Sequence, residues 1–480
     1  MLRHIVRTIF FVFPLFFLLV FRHNPRGIGN ELYPLLPMPP LSEMKRIMVV
    51  APHPDDETLA CGGLIALARR EGIPVKVIVV TNGESFSYAA HIHYKKVVLP
   101  PSYYIKFGEK RQNETLSAME FLGVPKEDVT FLGYPDSDLC LLWEKYWEYN
   151  QLYTHTLLHT RFSPFQNIYH KNAPYCGRSL LEDLEKIILD YKPTHIFIPS
   201  AEDAHPTHWA VNSFVNIALL ELKERHHLSP QIFTYVVHRG RFPYPRGLKM
   251  EETMKPPSTL LGLGFHWRSL SLPPDIVQLK YEAINKYKTQ LLPRMRKFMF
   301  SFARTNELFA DEKDALTIPI VNRGRIKVDG KGEDWTGIPP FLIDPQKDTL
   351  WKILEPEADI TYIYACMDSD NLYLMLKTAK NISKKVRYYI SIYGIEESNG
   401  KRLMLQKEFK PAVSEECLEC AIPLYSLENN RFLFIGAMAK YKGITIDKTA
   451  YRIAILEPHH LAHRGLFKRA EGNTSKLKYK

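Results

Sequence analysis

Five consecutive residues in "VVAPHPDDETLACGG", His53 to Glu57, carry one histidine, two aspartates and one glutamate directly behind an apolar run. Imidazole and carboxylate at that density can hold a divalent metal ion and move protons beside it. His53 and Asp56 could ligate a metal together from a turn, leaving Asp55 next to the site and unliganded. A catalytic zinc asks for three protein ligands and an open position, so a third ligand has to come from elsewhere. "PSAEDAHPTHWA", Pro199 to Ala210, supplies His205 and His208 where a helix would begin, so that one can bind metal while the other faces a substrate. Zinc with an adjacent carboxylate turns water into a nucleophile able to attack an amide. A histidine and the metal together stabilise the oxyanion that forms. For either cluster alone, polar residues of a surface loop are the competing reading; two clusters at equivalent positions leave that reading little room.

Both clusters need scaffolds that bring them together. "RIMVVAP" and "PVKVIVVTNGES" read as buried strands with the helix-compatible "ETLACGGLIALARREG" between them. A crossover of that length implies parallel strands. The alternation continues through the helix "EKRQNETLSAMEFLGV", with Leu116, Met119 and Leu122 on one face, the strand "DVTFLG", the helix "SLLEDLEKIILDY" and the strand "PTHIFIPS". The expected class is α/β, a Rossmann-like doubly wound, mostly parallel sheet, in which ligands collect outside the carboxyl ends of the strands. Phe86 to Gly108 and Leu141 to about Tyr175 interrupt this rhythm as long aromatic-rich insertions. Their rings, among them Tyr88, Tyr103, Tyr104, Trp143, Tyr146, Trp147, Tyr149 and Tyr153, suit sugar faces or simple packing onto the domain.

"APHPDDE" followed by a Gly-Gly helix, together with "DAHPTH", resembles the PIG-L or LmbE-like family of zinc-dependent N-acetylglucosamine deacetylases over roughly Lys45 to Phe309. The resemblance implies one Zn2+ per chain held by His53, Asp56 and His208. It makes Asp55 the general base and His205 the residue that assists the oxyanion and the leaving amine. Weaker matches are Arg111 and Glu114 in "KRQNE", Asp136 in "GYPDSDL", and Arg304 and Glu307 in "ARTNELF"; Arg111 and Asp136 are expected to bind substrate. For Arg111 the alternative is a helix-surface arginine paired with a neighbouring glutamate. Family members commonly carry an aspartate where this chain has Thr207. Loss of that acid is expected to shift the pH optimum or slow departure of the amine, with Asp203 as a partial substitute.

After about Ala310 short alternating runs such as "DITYIYACMD" and "NLYLMLKT" announce a smaller all-β sandwich. In "NLYLMLK", Leu372, Leu374 and Leu376 are expected to face the core, with Asn371, Tyr373 and Met375 on the other side. "GRIKVDGKGEDWTG" followed by "NLYLMLK" and "CAIPLYSL" is similar to family 9 carbohydrate-binding modules and their DOMON-like relatives, which implies either a glycan-binding or a purely structural sandwich. Six scattered cysteines are too few for a disulfide framework in 480 residues. The excess of 63 Lys plus Arg over 52 Asp plus Glu favours anionic surfaces, and no nucleic-acid partner is expected.

Thr8 to Phe21 is uncharged and bracketed by arginines, which fits one membrane anchor facing the extracytoplasmic side, or a signal segment of a secreted protein. The expected organisation is an anchor at 1–27, a Pro-rich linker at 28–44, a deacetylase domain at 45–310, a sandwich at 318–460 and a basic tail at 461–480. The functional expectation is a zinc hydrolase that removes the acetyl group from an N-acetylglucosamine-type sugar on a glycolipid, glycoconjugate or envelope glycan. The alternatives are a catalytically idle glycan-binding protein that retains the fold, and a phosphoester hydrolase. The usual preference of the latter for two metals would require more acidic ligands than these clusters offer.

Overall fold

The computed structural model describes residues 35–312, 315–395, 402–409, 411, 415–427 and 430–456. The anchor at 1–27, the beginning of the linker and the basic tail lie outside the described residues. No helix among the described residues is long and apolar enough to cross a membrane. The chain forms two compact units, divided between Lys313 and Asp314.

The first unit is built on eight strands, β1 (Leu36–Pro37), β2 (Ile47–Ala51), β3 (Val75–Thr81), β4 (Val129–Tyr134), β5 (His195–Pro199), β6 (Gln231–Tyr235), β7 (Trp267–Ser271) and β8 (Asn306–Asp311). Their order across the sheet is β1-β7-β8-β6-β5-β2-β3-β4. Strands β4, β3, β2, β5 and β6 pair in parallel, and β8 runs antiparallel to β6 and β7. The central strand β2 reads IMVVA and is buried along its whole length, as a strand with helices on both faces must be.

Helices α1 (Asp56–Arg70), α2 (Ser87–Tyr94), α3 (Pro101–Phe121), α4 (Leu139–Glu144), α5 (Gly177–Tyr191), α6 (Pro206–His226), α7 (Pro274–Ile284) and α8 (Arg296–Phe300) complete this unit. Both α3 and α6 open on a proline, whose fixed φ suits the first helical position and whose missing N–H costs nothing there. In α1, Gly62 and Gly63 let other elements come close. A Cβ on Gly63 would stand 2.5 Å from Leu272 Cδ1, and the N–H groups of Gly63 and Leu64 donate to the buried Glu307 carboxylate. Lys280 of α7 donates to the same carboxylate.

The described part of the Pro-rich stretch is packed on the first unit. Leu36–Pro37 adds a parallel edge to β7, and Met38 and Met44 are buried in the core. The first aromatic insertion is more helical than a loop: α2 and the opening turns of α3 pack through ring contacts between Tyr94 and Tyr103 and between His93 and Phe107. In the second insertion Trp143 and Trp147 are buried against Phe214 of α6, so these two rings are core and unavailable to a sugar.

The second unit is a sandwich of a four-stranded and a six-stranded sheet. It comprises β9 (Leu316–Thr317), β10 (Pro340–Ile343), α9 (Leu350–Leu354), β11 (Ile360–Met367), β12 (Asn371–Thr378), β13 (Val386–Ile395), β14 (Arg402–Phe409), β15 (Leu418–Pro423), β16 (Phe432–Tyr441), β17 (Ile444–Lys448) and β18 (Arg452–Ile455). Leu372, Leu374 and Leu376 of β12 enter the main core as their alternation requires. The opposite face is also covered: Tyr373 and Met375 pack in a second cluster with Trp335, whose Nε1 donates to Glu419. That burial keeps the Trp335 indole from serving as a sugar platform.

Candidate functional site

Strands β2 and β5 are neighbours at the centre of the sheet, where the strand order reverses. The loops at their carboxyl ends are therefore adjacent, and the two clusters separated by some 150 residues of chain meet there. His53 Nδ1 lies 3.0 Å from Asp56 Oδ2, His208 Nε2 lies 3.1 Å from the same oxygen, and the two nitrogens face each other at 3.3 Å. Ligand atoms about 2.0–2.2 Å from a tetrahedral zinc stand roughly 3.3–3.5 Å apart, so these three atoms need only relax by a few tenths of an ångström to share one ion. The second carboxylate oxygen, Asp56 Oδ1, is buried without a hydrogen-bond partner.

Each histidine is backed by a carboxylate. His53 Nε2 is 3.2 Å from Asp136 Oδ1, and His208 Nδ1 is 3.2 Å from Asp203 Oδ2, the latter off the line of a hydrogen bond. Such partners fix the orientation of a ligating imidazole and raise its basicity. Burial alone would lower both imidazole pKa values. For His53, Asp136 and Asp56 outweigh it and raise the pKa to about 9; for His208, Asp203 and Asp56 raise it to about 10. Asp56 and Asp203 are held low despite their burial, chiefly by His208. Three carboxylates thus draw positive charge to one buried point, and a divalent cation on the facing nitrogens would supply it in place of two protons.

Asp55 has a φ of 125°, a region L-residues rarely adopt. Its neighbours hold it there. Its N–H donates to Glu57 Oε2, while Arg111 donates to the Pro54 carbonyl at 2.6 Å, to the Gly83 carbonyl at 2.9 Å and to Asp55 Oδ2 at 3.2 Å. Glu57 is itself bonded by the Tyr287 hydroxyl. Backbone strain kept in place by surrounding bonds is a common property of functional turns. Burial raises the Asp55 carboxyl to about 8, against the pull of Arg111.

His205 is the N-cap of α6, and its Nδ1 accepts the Thr207 N–H at 3.3 Å, which leaves Nε2 to carry the proton in the neutral ring. Its ring packs edge-on to His53 with centroids 4.6 Å apart. Burial, reinforced by His53 and His238, holds its pKa well below the ordinary value.

Three sequence expectations meet specific contacts here. Arg111 is not a surface residue paired with glutamate, because its guanidinium is buried on Asp55 and two loop carbonyls. Asp136 is turned onto His53 and the Ser85 N–H. Asp203 does not reach the His205 ring: its carboxylate accepts the backbone N–H groups of His205, Val237 and His238 and lies against His208. Glu114, Arg304 and Glu307 serve the scaffold. Glu114 accepts from Thr289, Arg304 holds backbone carbonyls and Glu252, and Glu307 clamps α1 to α7.

The sequence reading missed His238, which follows β6. Its Nε2 is 3.9 Å from Asp56 Oδ1, its ring stacks on Phe298, and burial lowers its pKa to about 4. It was discoverable by the same rule as the others, being a histidine just past the carboxyl end of an adjacent parallel strand. Asp56, His208 and His238 form a second group able to hold a metal, as do His53, His205 and His208. The buried pair Glu84 and His155 was also missed. Glu84 Oε1 accepts the Asp136 N–H at 2.9 Å and lies 3.0 Å from His155 Nε2.

Residues 48–219 match the family model PIG-L, GlcNAc-PI de-N-acetylase. Over 96 residues the chain is 30% identical to the probable N-acetyl-alpha-D-glucosaminyl L-malate deacetylase 2 of Bacillus cereus, covering 20% of this chain and 39% of that protein's length. Among solved structures it is similar to the N,N'-diacetylchitobiose deacetylase from Pyrococcus horikoshii, with 16% identity, 56% of this chain and 84% of that one covered, and a TM-score of 0.36. It is also similar to a deacetylase of the teicoplanin biosynthesis pathway, with 17% identity, 56% and 100% covered, and a TM-score of 0.37. The residues that build the β2–α1 and β5–α6 loops fall inside the matched range, and over residues 48–219 the chain carries a PIG-L family domain.

Proposed function

We propose that the first unit hydrolyses the amide of an N-acetylglucosamine-type sugar, releasing acetate and the free amine, with one zinc held by His53 Nδ1, Asp56 Oδ2 and His208 Nε2. The observation that carries this reading is the convergence of those three atoms within 3.0–3.3 Å of one another, with a clamped carboxylate beside them. Bound zinc supplies Lewis acidity for a water and for the amide carbonyl. Asp55 takes the proton of the attacking water, from a position set by Arg111 and Glu57. His205, neutral, donates an Nε2–H hydrogen bond to the oxyanion, and the proton that Asp55 took from the water is returned to the departing nitrogen, which must be protonated to leave. The Asp136 and Asp203 carboxylates keep the ligand rings from turning.

The test is zinc content together with acetate release from a panel of N-acetylglucosaminyl compounds. The wild-type chain should bind zinc and release acetate, whereas Asp55→Ala should retain zinc and lose about 10²–10⁴ in rate. Zinc bound without acetate release from any amide would favour the idle glycan-binding alternative, and phosphate release would favour the phosphoesterase.

A further inference from the structure

Helix α2 ends on Lys95, which takes a left-handed φ of 52° as its C-terminal cap and turns the chain away from the helix axis. Val97 and Val98 follow, 80% and 79% exposed, more than any other large apolar side chain among the described residues. Ile92, on the last turn of α2, is exposed as well. A lone exposed aliphatic residue is ordinary, but these three share one tip with the exposed Lys95, Lys96 and Lys106. The tip has a defined shape. Lys96 Nζ donates to the Tyr103 hydroxyl at 2.7 Å and lies 4.5 Å from the centre of that ring; Lys106 lies 5.8 Å from the same ring, and Tyr103 packs edge-on against Tyr94. Leu99 is buried and pins the loop from below. Glu109, near Tyr94, is the acidic neighbour, and the lysines outnumber it.

We propose that the α2–α3 tip docks on an anionic phospholipid bilayer, with Ile92, Val97 and Val98 entering the boundary between headgroups and acyl chains and the three lysines resting on lipid phosphates. An aliphatic wedge ringed by cations is the chemistry by which proteins lie on anionic membranes without spanning them. The rival occupant, a second copy of this chain on a two-fold axis, would set lysine against lysine, a contact that like charges oppose. The docking element is also a wall of the site. α2 begins two residues after Ser85, whose N–H and hydroxyl donate to Asp136, and α3 carries Arg111, which holds Asp55. Docking would therefore place the hydrolase at the surface where a lipid-linked sugar is presented, although the docking itself stands independently of that activity.

The experiment adds an indole to the tip of the full chain with Val97→Trp and measures its quenching, relative to the wild-type chain, by phospholipids brominated along their acyl chains. Vesicles of phosphatidylcholine with and without phosphatidylglycerol are compared. Quenching is expected with phosphatidylglycerol and should weaken about tenfold or more when Lys95→Glu and Lys96→Glu are added. An indole that remains unquenched overturns the proposal, and equal quenching in neutral vesicles overturns the anionic-lipid assignment. Self-association abolished by Val97→Asp with Val98→Asp would seat a second copy on the tip and also overturn it. The N-terminal apolar stretch is common to all these proteins, so only the tip differs. Because the readout is optical, a negative result would leave the hydrolase reading standing, and a failure of amide turnover would leave this one.

Discussion

At the scale of single residues, the carboxylates behind the ligand rings matter as much as the rings. Asp136 touches His53 through one oxygen while the Ser85 N–H donates to the other, and its own N–H is held by Glu84. Asp136→Asn should leave the fold intact and weaken zinc binding about 10–100-fold, read by competitive zinc titration. Unchanged affinity would show that His53 needs no orienting partner. His53, Asp55, Asp56, His205 and His208 were legible in the sequence because metal and proton chemistry leaves few residue types to choose from, and both groups stood directly behind apolar strands. The contacts of Arg111 and Asp136 were not legible: a sequence gives a side chain's reach but not its partner, and their partners lie on loops far away in the chain. His238 was overlooked because one histidine among the arginines of "VVHRGR" has no motif around it.

At the scale of elements, close approach is the limiting resource. Gly63→Ala would drive a methyl group into Leu272 and crowd Glu307, whose carboxylate joins α1 to Lys280 of α7. The expected cost is about 1–3 kcal/mol, measured by chemical denaturation. In the second unit, Lys352 of α9 is buried with its ammonium 2.7 Å from Asp344, 2.9 Å from Asp447 and 3.0 Å from Asp348, with Asp359 at 3.5 Å. One cation cannot balance four carboxylates. Burial pushes Asp447 up from 3.8 to about 6, even though Lys352 pulls it down. The folded unit therefore holds that proton more tightly than the unfolded chain, and the resulting stability is full below about pH 4 and lost as pH rises through 6. The melting temperature should fall across that window relative to Asp447→Asn, which should flatten the dependence. The alternation of strands and helices was readable because buried parallel strands have to be continuously apolar. The fate of the aromatic insertions was not, because an indole against Phe214 and an indole against a sugar ring require the same residue type.

At the scale of the whole molecule, two units with separate cores should unfold separately. Calorimetry is expected to show two transitions, and removal of zinc by a chelator should lower only the one that belongs to residues 35–312, because an ion that binds only the folded state stabilises only the unit that holds it. A shift of both transitions, or of neither, would contradict the assignment. The adjacency of β2 and β5 carries a further consequence for synthesis. A ribosome that has released only the first half of this unit has made His53 and Asp56 but not yet His208, and the strand that must slot in beside them is still to come. The three atoms proposed to hold zinc therefore cannot come together in the growing polypeptide until β5, the fifth of the unit's eight strands, and the start of α6 have been made.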